Sequence, residues 1–313
     1  MSDDTTGTPE RALVIGEALV DVVERPDGRR EEHPGGSPAN VALGLGRLGR
    51  RVDLLTWLGI DADGDLVRRH LETSGVHVLA GNRSAVRTPV ATARLDAAGV
   101  ASYDFDLEWD LPDAWDEDPG DPVVVHTGSI AAVLPPGAAA VERELDRRRS
   151  ASTITYDPNL RPALMGTPTE TLLVVERLVG LADVVKVSDE DLAWLRPGAD
   201  PARVASSWVT AGAALVVVTR GGAGALAVTA SGERVDVPAP QVQVADTVGA
   251  GDSFMGGLID GLWSAGLLGA DRRDDLRRVD AATVEQVLLR CARIAAITVS
   301  RPGADPPRAA ELA

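Results

Sequence analysis

The sequence predicts an α/β fold: a mainly parallel sheet with helices on both faces, extended by a small separate β-sheet. Three observations predict it. Short continuous apolar runs alternate with helix-length amphipathic stretches, the pattern of strands buried on both sides. Polar clusters follow several of these runs, at the strand ends where such sheets hold ligands. One segment breaks the alternation with a period of two, the mark of a hairpin.

The elements follow in order. Met1–Glu10 is polar and acidic and reads as a short disordered lead, leaving residues 11–313 as a single domain. Strand-type runs lie at Ala12–Val23, Val52–Leu58, Val123–Thr127, Thr153–Tyr156, Val184–Val187 and Leu215–Thr219. Helical stretches between them are Pro38–Leu48, Asp65–Ser74, Ala138–Arg149, Thr169–Leu181 and Pro201–Thr210. Thr88–Trp109 is the exception, a hairpin turning near Ala97-Ala98-Gly99. It gathers Tyr103, Phe105 and Trp109 in a chain that is only 3% aromatic. A lid over a cleft, a sheet-edge extension and a dimer contact are all consistent with it.

Three polar clusters follow consecutive strands and should open on one edge of the sheet: Asp157–Arg161, Lys186–Asp191 and Thr219–Gly224. Lys186 is the sole lysine of the chain. It reads either as a solvated strand-end charge or as a cation beside a polyphosphate or its metal. Arg161 reads equally as a phosphate clamp or as the partner of a neighbouring carboxylate.

Composition bounds the function. The chain has 313 residues, 44% hydrophobic and 25% charged, which fits a globular protein and leads us to expect a cytoplasmic one. Its single cysteine, Cys291, excludes an internal disulfide and a cysteine metal cluster. No apolar run is long enough to span a bilayer. A formal charge of −16 offers no basic field for nucleic acid.

The most specific stretch is Asp246-Thr-Val-Gly-Ala-Gly-Asp252, which runs into an apolar helix. Small residues at Gly249, Ala250 and Gly251 allow a tight turn with uncovered N–H groups. The helix start adds its unpaired amides and its dipole, making an anion pocket suited to a phosphoryl group. Asp252 at such a place is either a helix-capping carboxylate or a general base for an attacking hydroxyl. Upstream, Asp21 lies at the end of the first apolar strand, where it can accept hydrogen bonds from two neighbouring hydroxyls of a polyol or be a strand-end turn residue. Gly35 and Gly36 permit close backbone approach, and Asn40 offers a donor and an acceptor on the first turn of a helix.

Two of these stretches, Gly35-Gly-Ser-Pro-Ala-Asn40-Val-Ala42 with Gly49 and Gly59, and Asp246–Ile259, resemble the two signatures of the ribokinase-like (PfkB) sugar kinases. The resemblance runs from Val14 to about Ala310. It implies a three-layer α/β/α core and a small β-sheet lid built from segments about 19–36 and 86–111. It implies ATP-dependent phosphorylation of a sugar, with Mg²⁺ and, in many relatives, a monovalent cation such as K⁺. Asp252 would be the base, and the amides of 249–252 the anion hole. Asp21, Gly35, Gly36 and Asn40 would hold the sugar, with Tyr103, Phe105 and Arg161 beside it. Thr219-Arg220-Gly221 and Gly224 resemble the family's nucleotide stretch, with Lys186 and Ser188 on the same side. Asp191 or Glu190 stands for the magnesium carboxylate, and Asp246 with Gly303 for the monovalent site.

The chain departs from the family pattern at Ala292, where many relatives carry asparagine, and at Ser188 and Asp191, which replace an Asn-x-x-Glu motif. Gly16–Asp21, Asp157–Arg161, Val185–Glu190 and Ser300–Asp305 look most like fructokinases. Ribokinase and 2-keto-3-deoxygluconate kinase share the frame; the latter would call for a cation such as Arg87 or Arg94 near the substrate carboxylate. A catalytically silent sugar- or nucleotide-binding regulator is the non-enzyme alternative. No Gly-x-Gly-x-x-Gly follows the first strand, which weakens a dinucleotide-binding reading. The expected partners are a small sugar and ATP, with no nucleic acid or membrane, and a homodimer through the lid is consistent with the aromatic hairpin.

Overall fold

The computed structural model describes residues 10–79, 84–96, 101–112, 115 and 120–313, apart from the side chains of Ala101 and Tyr103. Thirteen strands are present among the described residues. They are β1 (Ala12–Ile15), β2 (Leu19–Glu24), β3 (Arg30–Gly35), β4 (Val52–Leu55), β5 (Val76–Val78), β6 (Val90–Leu95) and β7 (Ala101–Asp106). The rest are β8 (Val124–Gly128), β9 (Thr153–Asp157), β10 (Val184–Ser188), β11 (Leu215–Thr219), β12 (Ala225–Thr229) and β13 (Arg234–Val237). Nine of them form one sheet in the order β13-β12-β11-β10-β9-β8-β1-β4-β5. It is parallel from β5 to β11, and β12 and β13 add antiparallel at one edge.

The helices are α1 (Ser37–Arg47), α2 (Ala62–Glu72), α3 (Gly137–Arg148), α4 (Pro168–Val179), α5 (Asp189–Leu195), α6 (Pro201–Ala211), α7 (Ala250–Ser264), α8 (Arg273–Arg277) and α9 (Ala281–Val299). Alternate strand residues point to opposite faces, and two apolar layers result. One joins Val14, Val124, Val184 and Val217 to α1, α2, α7 and α9. The other joins Ile15, Val125, Val185 and Val218 to α3, α4, α5 and α6. This is the expected three-layer fold. Glycine lets α7 and α9 approach closely: a Cβ at Gly257 would lie 2.9 Å from Ile294, and one at Gly261 2.8 Å from Val287.

The small sheet has the order β3-β2-β6-β7. Its cross-strand row Asp21, His33, Ala91 and Phe105 shares one face. The neighbouring row of Val20 and Val22 is buried against the core. The hairpin strands match the alternation in the sequence; the turn at Ala97-Ala98-Gly99 lies outside the described residues.

Several expectations need correction. The run Ala12–Val23 is two strands in two sheets, broken at Gly16-Glu17-Ala18, so Asp21 sits within β2 and not at the end of the first core strand. Continuous burial across the break hid it. The run Val52–Leu58 is a strand only to Leu55, and α2 begins at Ala62, where Asp61 caps it by accepting from the Gly64 amide. Of the expected disordered lead, Met1–Pro9 lies outside the described residues, but Glu10 is anchored by Trp263 Nε1 at 2.7 Å.

Candidate active site

The turn before α7 is built as its small residues require. Gly249 adopts a left-handed conformation (φ 74°), and a Cβ there would lie 2.6 Å from Ala304. Asp246 braces the turn, accepting from Val248 N at 3.0 Å and from Gly303 N at 2.8 Å. The Ala250 amide donates to Thr247 O at 3.3 Å. Among the described residues, the amides of Gly249, Gly251 and Asp252 have no main-chain acceptor. They are free donors at a helix N-terminus, the arrangement that holds an anion.

Asp252 is 6% exposed and receives three side-chain donors. Ser37 Oγ donates to Oδ1 at 2.8 Å, Asn40 Nδ2 to Oδ2 at 2.8 Å and Asn159 Nδ2 to Oδ1 at 3.0 Å. Ser37 and Asn40 lie on the first turn of α1, which begins beyond Gly36 (φ 102°) with Pro38 in its first turn. Asn159 follows β9 in a left-handed conformation (φ 36°). The double-glycine motif and the α7 turn therefore meet at one carboxylate. Sequence reasoning missed Ser37 and Asn159 as partners of Asp252, although both lie inside quoted motifs.

Asp21 faces the same space. A Cβ on Gly35 would lie 2.0 Å from Asp21 Oδ2, and one on Gly36 2.5 Å from Glu17 O, so only glycine fits at either position. Burial raises the Asp21 carboxyl to about 6, with Asp252 adding to the rise and Arg161 and His33 opposing it. Arg161 is exposed; its Nη1 donates to Asn159 Oδ1 at 2.7 Å and to Leu160 O at 2.9 Å. No carboxylate lies within ion-pair distance of Arg161 among the described residues, so it faces the mouth of the cleft without a counter-ion there. Protonating Asp21 removes acceptor capacity. A polyol held by the Asp21 carboxylate should therefore bind several-fold more weakly at pH 5 than at pH 6.5, as the ionised fraction falls. Calorimetric titration at the two pH values checks this.

Glu17, between β1 and β2, is 3% exposed and was also missed. It accepts from Ala131 N at 3.1 Å. Burial raises its carboxyl to about 7, against hydrogen bonds that lower it. The folded state thus holds this proton more tightly than the unfolded chain, whose ordinary value is 4.5. Its stabilising contribution is present below pH 4.5 and is lost as pH rises through about 7. Glu17→Gln should therefore gain stability over the parent at pH 8 relative to pH 5, by up to about 3 kcal/mol. Thermal melts at both pH values measure it.

Lys186 is buried, not solvated. Its Nζ lies 2.9 Å from Asp157 Oδ2, with side-chain exposures of 3% and 0%. A Cβ on Gly251 would lie 2.9 Å from the same Nζ, so the ammonium sits directly behind the turn. Burial raises Asp157 to about 6, with Lys186 opposing. Burial pushes the Lys186 ammonium down, but Asp157, with Asp191 and Asp252 adding to it, outweighs burial and the net shift is upward. His126, nearby on the same sheet face, is held to about 3 by burial and by Lys186.

Beyond β10, Ser188 and Asp191 form a capping box on α5. Asp191 also accepts from Leu160 N at 3.0 Å, and Glu190 is exposed. Among the described residues no group of three or more His, Cys, Asp or Glu side chains could hold a metal. This donor set suits a hydrated Mg²⁺ carried on a polyphosphate, not a protein-caged one. After β11, Gly221 (φ 49°) and Gly224 (φ 88°) form a tight turn, and a Cβ on Gly224 would lie 2.0 Å from Val237 O. Thr219 Oγ1 donates to Val187 O at 3.4 Å. Arg220 pairs with Asp236 at 3.0 Å. Ala292 is buried within α9.

The fold and this cleft define a three-layer α/β protein with a small sheet set over the carboxyl ends of its strands. The chain belongs to the pfkB family of carbohydrate kinases, whose family model matches residues 9–310. It is 34% identical over 269 residues to a fructokinase of Rhizobium leguminosarum bv. trifolii, covering 82% of this chain and 81% of that one. Its fold is similar to the structure of a Xylella fastidiosa fructokinase with bound ATP (TM-score 0.82, 27% identity, 96% of each chain). It is also similar to a Vibrio cholerae fructokinase double mutant with fructose, ADP and potassium ion bound (TM-score 0.77, 27% identity, 97% of each chain). Among the described residues no helix is long and apolar enough to cross a membrane.

Proposed function

We propose that this sugar kinase transfers the γ-phosphoryl group of ATP to a primary hydroxyl of fructose. One observation carries the reading: Asp252 stands on the first turn of α7, beside the free amides of Gly249 and Gly251, with Asp21 facing the same cleft.

In this reading Asp21, Asn40 and the main chain at Gly35 and Gly36 hold the sugar hydroxyls. Phe105, in the small-sheet row of Asp21, closes over them as a lid; the Tyr103 side chain lies outside the described residues. The acceptor hydroxyl attacks the γ-phosphorus as the bond from phosphorus to the β-bridging oxygen breaks. ADP departs and Asp252 takes the hydroxyl proton. The amides of Gly249, Gly251 and Asp252, with that of Ala250 partly shared with Thr247, hold the charge on the migrating group. Arg161, free of a carboxylate partner, reaches the same group from the mouth. Thr219, Arg220, Gly221, Gly224 and Ser188 form the nucleotide side. Asp191 and Glu190 would hold Mg²⁺ through water, and that ion neutralises phosphate charge. Asp246 and the Gly303 loop, joined by a hydrogen bond at 2.8 Å, would hold K⁺; potassium ion is bound in the Vibrio cholerae structure that this fold resembles.

A neutral sugar fits better than 2-keto-3-deoxygluconate. Arg94 lies in the row of Glu24, on the sheet face opposite to that of Asp21, and pairs with Glu24 at 2.9 Å, while Arg87 pairs with Asp106 at 3.2 Å. Similarity to proteins named fructokinase supports fructose as the substrate. ADP release measured over fructose, ribose and 2-keto-3-deoxygluconate tests this. The highest kcat/KM should be for fructose. A preference for another sugar changes the substrate alone, and no turnover on any leaves the silent regulator.

A further inference from the structure

We infer that Asn159 is a positioning residue for the transfer: it aims the Asp252 carboxylate, holding Oδ1 so that Oδ2 is the oxygen that takes the hydroxyl proton. The inference rests on Asp252 being the base. Asn159 Nδ2 donates to Asp252 Oδ1 at 3.0 Å and to Ser37 Oγ at 2.6 Å. Ser37 Oγ in turn donates to the same Oδ1 at 2.8 Å. These side chains close a ring on one carboxylate oxygen. Among the described residues Oδ2 receives a single side-chain donor, Asn40 Nδ2 at 2.8 Å. Each carboxylate oxygen offers about two lone-pair sites. Oδ1 is therefore filled, and Oδ2 keeps a site for the incoming hydroxyl.

The ring has one consistent direction. Asn159 Oδ1 accepts from Arg161 Nη1 at 2.7 Å. Turning the amide over would set its oxygen against Asp252 Oδ1 and its NH₂ against a guanidinium, which only donates. Ser37 gives its one proton to Asp252, so toward Asn159 it accepts. Donors thus run from Arg161 through Asn159 to the carboxylate. One amide side chain joins the arginine at the mouth of the cleft to the base inside it.

The main chain presets this arrangement. Asn159 has φ 36°, in the left-handed region that glycine and asparagine adopt most readily. The next amide, Leu160 N, donates to Asp191 Oδ1 at 3.0 Å. Arg161 Nη1 also donates to the carbonyls of Asn159 and Leu160, at 3.2 and 2.9 Å. A residue needed only for the turn could therefore be glycine. The Asn159 amide adds the reach to Asp252 and Ser37.

The test is steady-state kinetics of Asn159→Gly, alone and combined with Asp252→Asn, beside thermal melts. Glycine keeps the turn and removes the amide. The kcat should fall by at least about tenfold, since misplacing a reacting group by about 1 Å can cost about 10² in rate. The KM values for fructose and ATP should stay within about threefold of the parent, because the amide touches neither ligand. In the Asp252→Asn background the same change should cost less than about twofold, its target being gone. Asn159→Asp also suits the left-handed turn and, ionised, cannot donate; it should show the same losses and decides if the glycine variant does not fold. A parent kcat in the variant that folds overturns the inference and leaves Asn159 a turn residue. So does a fall of equal size with and without Asp252, which would place its action elsewhere. Asp252→Asn alone keeps the two claims apart: if it retains the parent kcat, the base assignment has failed, and this inference with it.

Discussion

Asp252→Asn is expected to lower kcat by about 10² to 10⁴ and to leave the fold intact, if Asp252 is the base proposed above. The substitution is isosteric, and three donors already hold the side chain in place. An asparagine can keep its oxygen toward Ser37 and Asn159 and turn its amide toward Asn40, whose own side-chain amide can flip to present its oxygen. Binding of sugar and nucleotide therefore survives while proton removal is lost. Steady-state kinetics beside a thermal melt separates the two effects. An unchanged kcat would remove Asp252 from the chemistry.

Gly35→Ala is expected to be nearly as severe, through binding geometry. The new methyl would stand 2.0 Å from Asp21 Oδ2 and 2.9 Å from its Cγ. The carboxylate must swing away, because Gly35 ends a strand paired with Leu19 and cannot retreat freely. Displacing a positioning group by about 1 Å can cost about 10² in rate. The kcat/KM for sugar should fall by at least about that factor, with the KM for ATP little changed. Sugar kinetics equal to the parent would show that Asp21 does not orient the acceptor.

Much of this architecture was legible because central parallel strands are apolar on both faces. Val184–Val187 and Leu215–Thr219 announce themselves with no help from neighbours. The α7 turn was legible for a different reason, since few sequences place glycine, alanine and glycine before a carboxylate and an apolar helix. The break at Gly16-Glu17-Ala18 was not, because those residues are as buried as the strands they separate. The edge strands β12 and β13 were equally hidden; Gly224, which reads as a phosphate-type turn, also precedes that hairpin. The partners of Asp252 arrive from 215 and 93 residues away, and no local pattern encodes such a meeting. The burial of Glu17, Asp157 and Lys186 was hidden for a related reason. A charged residue in sequence looks like surface until the tertiary fold closes around it.

The phosphorus-31 spectrum of the product formed from fructose, ATP and Mg²⁺ tests the central claim most directly. Transfer to a primary hydroxyl predicts ADP and an equal amount of a phosphate monoester whose phosphorus couples to two methylene protons. Inorganic phosphate as the sole new phosphorus species beside ADP, or an ester coupled to a single ring proton, would contradict the account.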